Sequence, residues 1–121
     1  MTLDTFAERI RDLFADLGPV RLKRMFGGLG VYADDLFFAL AADEVLYLKA
    51  DAVTEPLFRE AGSEPFSYAR KGGRATVMGY WRLPDAVWDD PEEAARWGRL
   101  AVEAALRATA GKGKKKRLSA R

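Results

Sequence analysis

Between residues 26 and 50 three short apolar runs, 26–33 (FGGLGVYA), 36–41 (LFFALA) and 45–50 (VLYLKA), are separated only by Asp34-Asp35 and Ala42-Asp43-Glu44. Parallel neighbours need a crossover of about a dozen residues or more, whereas antiparallel strands close through a turn of two or three. The breaks are too short for anything but hairpins, and the segment is predicted to be an antiparallel meander. A second pair of runs, 65–70 (PFSYAR) and 74–82 (RATVMGYWR), flanks Lys71-Gly72-Gly73, whose paired glycines supply the backbone of a tight hairpin.

Helical patterns enclose these runs. Leu3, Phe6, Ile10, Leu13, Phe14 and Leu17 fall on one face of a helix over 3–17, and Gly18-Pro19 stops it. Asp51 or Thr54 caps a short helix reaching Ala61, with Leu57, Phe58 and Ala61 buried and Gly62 closing it; Pro56 favours the later start. Asp90-Pro91-Glu92-Glu93 places a cap, a first-turn proline and an acid at the third helical position. The helix that follows, just after Trp88, buries Ala95, Val102, Ala105 and Leu106, with Trp97, Ala101 and Ala104 beside them, as far as about Ala108. The order α-β-β-β-α-β-β-α implies an α+β two-layer sandwich with a five-stranded antiparallel sheet.

The 121 residues suit one domain, read as 1–110 followed by a disordered basic tail, 111–121 (GKGKKKRLSAR). That tail holds six of the 20 basic residues and no acid, so 14 bases face 18 acids in the rest, a net of −4. The pI near 9.0 therefore reports the tail and not a basic surface. Lys112, Lys114, Lys115, Lys116 and Arg117 are candidates for weak, sequence-independent phosphate contact, set against a merely solvated tail. No apolar run approaches the ~18 residues of a membrane span, and Asp4 and Glu8 stand where a signal peptide is basic and then apolar. A cytoplasmic protein with no membrane partner is expected.

With no Cys and no His, disulfides, thiol nucleophiles, Cys/His zinc sites and imidazole-dependent triads are excluded. The glycine-rich Phe26–Gly30 segment lacks a phosphate-loop pattern and leads into a strand, which favours a bulge or close backbone packing. Lys71-Gly72-Gly73-Arg74 reads as an exposed hairpin tip before it reads as an anion nest. Asp34, Asp35, Asp43, Glu44, Asp89 and Asp90 sit where turns and caps place acids, and no catalytic or metal role is assigned to them. Neither a cofactor nor a metal is expected.

Strand alternation divides the sheet into two faces. Leu29, Val31, Ala33, Leu46, Leu48, Val77 and Trp81 suit the helix-covered side; Tyr32, Tyr47, Tyr68 and Tyr80, with Lys49, Arg70, Arg82, Phe66 and Met78, suit the other. Run 36–41 is apolar at both parities, which makes it a central strand. Three helices leave part of a five-stranded sheet open. Three readings of the tyrosine surface stand together: amphipathic tyrosines on a half-solvated sheet, a protein or homodimer interface, and a stacking platform for nucleic acid. Lys49 on the same face is the one residue that keeps a lysine-dependent enzyme in view.

Arg24-Met25-Phe26-Gly27-Gly28 with Gly30, Tyr32 and Asp34, then Leu46-Tyr47-Leu48-Lys49 before Asp51, Pro65-Phe66 with Tyr68, and Tyr80-Trp81 with Pro84, resemble the N-terminal domain of TfoX/Sxy competence regulators over about residues 3–108. Asp35 stands where that family usually has Gly in its first hairpin. The resemblance implies a small antiparallel-sheet α+β domain with a secretion-chaperone-like layout. It further implies a non-enzymatic bacterial regulator of DNA-uptake genes that works through a protein partner such as the transcription machinery. Full-length regulators of that family carry a second, C-terminal domain, so a standalone first domain is expected here.

Overall fold

A computed structural model describes the backbone of residues 3–25 and 27–119, and the side chains of these except 68–70, 77–78 and 111–119. Helix α1 (Leu3–Leu13) leads to strands β1 (Arg21–Met25), β2 (Gly28–Ala33), β3 (Leu36–Ala42) and β4 (Val45–Lys49). Helix α2 (Glu55–Glu60), strands β5 (Pro65–Arg70) and β6 (Gly73–Arg82), a short 3-10 helix (Asp85–Asp89) and helix α3 (Pro91–Ser119) complete the chain. All six strands form one antiparallel sheet in the order β1-β2-β3-β4-β6-β5. The fold is α+β, as expected, with six strands where five were expected. The added strand is β1, whose sequence RLKRM carries three cations and shows no apolar alternation. It lies at the sheet edge, where charge blunts unwanted pairing, and an edge strand need not look like a buried one.

The meander forms as its spacing dictates. Asp34-Asp35 and Asp43-Glu44 are two-residue turns between the pairs Ala33↔Leu36 and Ala42↔Val45. Positive φ falls on Asp34, Asp43 and Glu44, so Asp35 is not the residue of the first turn that must tolerate the left-handed region. The second hairpin turns at Lys71-Gly72, with Arg70 opposite Gly73. Two irregularities break the alternation. Val31 pairs with Ala39 and Tyr32 with Phe37, which leaves Phe38 as an extra residue in β3. On the other side Pro65 pairs with Trp81 but Phe66 pairs with Val77, so β6 carries extra residues around Gly79, whose φ is +85. Parity does not carry through that bulge, and the side chains of Val77 and Met78, expected on opposite faces, lie outside the described residues.

All three helices pack on a single face. Phe6, Ile10, Leu13 and Phe14 of the first helical segment meet Leu29, Val31, Phe38, Ala39, Ala41, Leu46 and Leu48 of the sheet, with Phe58 from α2 and Ala94, Trp97, Ala101 and Ala105 from α3. Phe14 meets Phe38 edge-on at 5.5 Å, and Phe58 stacks at a tilt on Trp97 at 4.7 Å. Alanines line the buried side of α3, which lets it lie close to the sheet. Gly98 does the same at the crossing with the end of the first helical segment, where a Cβ would stand 2.8 Å from Leu17 Cδ2 and 3.2 Å from Phe14 Cε1.

Asp90 Oδ1 accepts the Glu93 amide at 3.2 Å, and Pro91 opens α3 as expected. In α3 the expected Ala95, Trp97, Ala101, Ala104 and Ala105 are buried but Leu106 is half exposed; in α2 Leu57 and Ala61 point outward and only Phe58 is buried. The α3 backbone continues to Ser119 and passes the expected stop near Ala108, because Gly111 and Gly113 weaken a helix without breaking it as proline does. The candidate phosphate contacts Lys112, Lys114, Lys115, Lys116 and Arg117 have side chains outside the described residues.

Asp51 supplies the loop bonds at α2, where its Oδ1 accepts the Val53 and Thr54 amides, while Thr54 occupies the cap position and its hydroxyl accepts the Asp51 amide. The Asp51 carboxylate also grips Arg107 of α3 through two bonds of 2.6 and 3.0 Å. The Arg107 bond, outweighing partial burial, holds the Asp51 carboxyl below its ordinary 3.8. A depressed folded pKa stabilises the fold above the unfolded value and is lost as pH falls through the folded one. Wild type is therefore expected to be more stable than Arg107→Met at neutral pH. In urea titrations that gap should begin to narrow below about pH 4 and close only as the pH falls through the lower, folded value; a gap unchanged down to strongly acid pH would show that the ion pair contributes nothing.

Candidate functional site

The face opposite the helices carries the aromatic surface. Cross-strand pairing arranges it as two parallel rows. One runs Arg21, Tyr32, Phe37, Lys49, Tyr80 across β1, β2, β3, β4 and β6, tied by the pairs Arg21↔Tyr32, Tyr32↔Phe37 and Lys49↔Tyr80 and by the Phe37–Tyr80 ring contact at 6.0 Å. The second runs Lys23, Gly30, Leu40, Tyr47, Arg82, each pair in direct register. Directly opposed side chains in an antiparallel sheet project from the same face, which makes both rows surface features of the fold.

Within the first row the rings touch in sequence. Tyr32 meets Phe37 at 5.2 Å, the Arg21 guanidinium lies 4.6 Å over the Tyr32 ring, and the Lys49 amine lies 5.0 Å over Tyr80. These are stacking and cation–π distances. In the second row Tyr47 packs on Phe66 at 4.4 Å. Arg82, opposite Tyr47, is drawn outward to Asp85 at 3.2 Å and Glu64 at 3.9 Å. Gly30 leaves room between the rows, and the Met25 methyl and Phe37 ring occupy it; a Cβ there would meet the ring at 2.8 Å.

Burial raises the phenol of Tyr80 above its ordinary value, with a smaller push from Tyr32. Burial likewise raises that of Tyr47, against the opposing charge of Arg82. Both remain protonated hydrogen-bond donors at neutral pH. The surface offers apolar ring area, phenol donors and cations, which is equipment for binding. Among the described residues no cluster of three or more acids is placed to hold a metal.

The structure thus brings Tyr32, Lys49 and Tyr80 together, and sets Tyr47 and Arg82 beside them in the second row. Tyr68 and Arg70 occupy β5 opposite Ala75 and Gly73, and their side chains lie outside the described residues. Phe37 was missed, although it is the ring that joins Tyr32 to Tyr80. Its run reads as apolar at both parities, and the Tyr-to-Tyr spacing alone does not reveal the bulge that turns Phe37 outward. Arg21, Lys23 and Met25 were missed with the strand that carries them.

Comparison with known proteins finds relatives of the chain as a whole. The family model described as the TfoX N-terminal domain matches residues 12–105. Protein Sxy of Escherichia coli is 25% identical over 108 residues, which cover 89% of this chain and 51% of that protein. DNA transformation protein TfoX1 of Aliivibrio fischeri is 34% identical over 70 residues, 58% of this chain and 34% of that protein. The chain spans about half the length of the first relative, and the second is matched over a smaller share.

Proposed function

The chain belongs to the TfoX N-terminal domain family, and from that premise we propose that it is a non-enzymatic regulatory module in the control of DNA-uptake genes, docking on a protein partner through the helix-free face of its sheet. The observation that carries this reading is the pair of aromatic and cationic rows on a face that no helix covers among the described residues. Tyrosine and arginine are enriched at protein interfaces, and a half-buried ring surface of this kind gains from further desolvation. The names of the two relatives, one a DNA transformation protein, supply the biological direction.

A photo-crosslinking amino acid at Tyr47 is expected to yield a discrete protein adduct in cells, and the same group at Glu103, exposed on α3, is expected to yield none. An adduct formed from Glu103 but not from Tyr47 would move the interface to the helices and sink this reading.

A further inference from the structure

The six strands contain seven cations, Arg21, Lys23, Arg24, Lys49, Arg70, Arg74 and Arg82, and no acid. The 18 acids therefore lie in helices, turns and loops, although acids outnumber bases over residues 1–110. The strands themselves therefore carry charge of one sign only. On the open face the segregation is sharpest at one end. Arg82 is already paired with Asp85 and Glu64, and Asp43 and Glu64 lie close enough to Tyr47 to raise its phenol further. Arg21 and Lys49 instead rest on tyrosine rings, and Lys23 is exposed beside them.

A cation stacked on a ring keeps its outer N–H donors, and among the described residues Arg21 and Lys49 meet no carboxylate there. Building on the docking role given above, we propose that the Arg21–Tyr32–Phe37–Lys49–Tyr80 row, with Lys23, receives an acidic, apolar segment of the protein partner. Its carboxylates are taken by the three cations, and its apolar side chains seat on Phe37, Leu40 and Met25. A nucleic acid fits less well. Bases stack on open ring faces, whereas Arg21 covers Tyr32, Lys49 covers Tyr80 and Phe66 packs on Tyr47.

The test measures fluorescence anisotropy of a labelled peptide of alternating Glu and Leu, its Lys-Leu counterpart and a labelled oligothymidine, each titrated with the full chain. The Glu-Leu peptide is expected to bind with an affinity that falls as salt rises. Arg21→Gln and Lys49→Gln should each weaken it about fivefold, whereas Arg82→Gln changes it less than twofold because that cation is already paired. Equal binding of the Lys-Leu peptide, no binding of the Glu-Leu peptide, or an Arg82→Gln effect as large as that of Lys49→Gln overturns the proposal. Tighter binding of oligothymidine, lost in Lys49→Gln, gives the row to nucleic acid and overturns it too. So does a dimer of the protein alone that Lys49→Gln disperses. A protein adduct at Tyr47 combined with failure of the Glu-Leu peptide would leave the docking face standing and remove only its acidic partner.

Discussion

Gly28→Ala is expected to remove about 3 kcal/mol or more of folding stability, at the top of the range for overpacking. A Cβ at Gly28 would overlap the carbonyl oxygen of Ala41 and sit 3.2 Å from the carbonyl carbon. Both atoms are backbone of β3, held in register with β2 and β4. No side-chain rotation relieves the overlap, so one strand must shift and the ladder with it. The neighbouring Gly27 provides the control. It turns at φ +77 with nothing within 4 Å of an added Cβ, and Asn tolerates that region. Gly27→Asn should lose less than about 1 kcal/mol. Urea denaturation of both variants decides the matter, and equal losses would show that the two glycines serve only to turn the chain.

Phe38→Ala is expected to cost about 3–5 kcal/mol, the range for emptying a buried aromatic position. Phe38 is fully buried and lies edge-on to Phe14 beneath the first helical segment. The adjacent Phe37 faces the other way and is only half buried, so Phe37→Ala should lose well under half as much. A thermal or urea melt that finds Phe37→Ala the costlier would refute the placement of the bulge, since in a regular strand Phe37 would share the buried side of Ala39 and Ala41 and Phe38 would face outward.

Much of the fold was legible because local chemistry decides it. Two-residue acidic breaks leave only hairpins, Lys71-Gly72-Gly73 turns where paired glycines permit, and Asp90-Pro91 starts a helix without help from the rest of the chain. Tyr32, Tyr47 and Tyr80 were assigned to one face by alternation, which holds wherever a strand is regular. The misreadings lie where a residue's setting is decided by its neighbours in space. Strand β1 is stabilised as an edge by pairing with β2 and not by its own apolar pattern. Phe38 enters the core because β3 can hold an extra residue against β2, and Leu106 faces outward because the alanine side of α3 is what fits the sheet. The site inherits the same division: its tyrosines were visible, but Phe37, which joins them, depended on the bulge.

The sheet order has a further consequence for how the molecule holds together. Strands β1 to β4 form one local unit and the β5–β6 hairpin another, joined edge to edge by only three cross-strand pairs, Tyr47↔Arg82, Leu48↔Trp81 and Lys49↔Tyr80. Beneath this seam, Phe58, itself packed on Trp97, braces Trp81 from the helical layer. Above it, the Phe37–Tyr80, Lys49–Tyr80 and Tyr47–Phe66 contacts stitch the two units together. A partner seated on that row grips both units at once, and any free energy it gains from the closed form is returned as resistance to their parting. Docking and cohesion of the sheet are then one equilibrium, so that a bound partner would act as a clasp on the domain as well as its target.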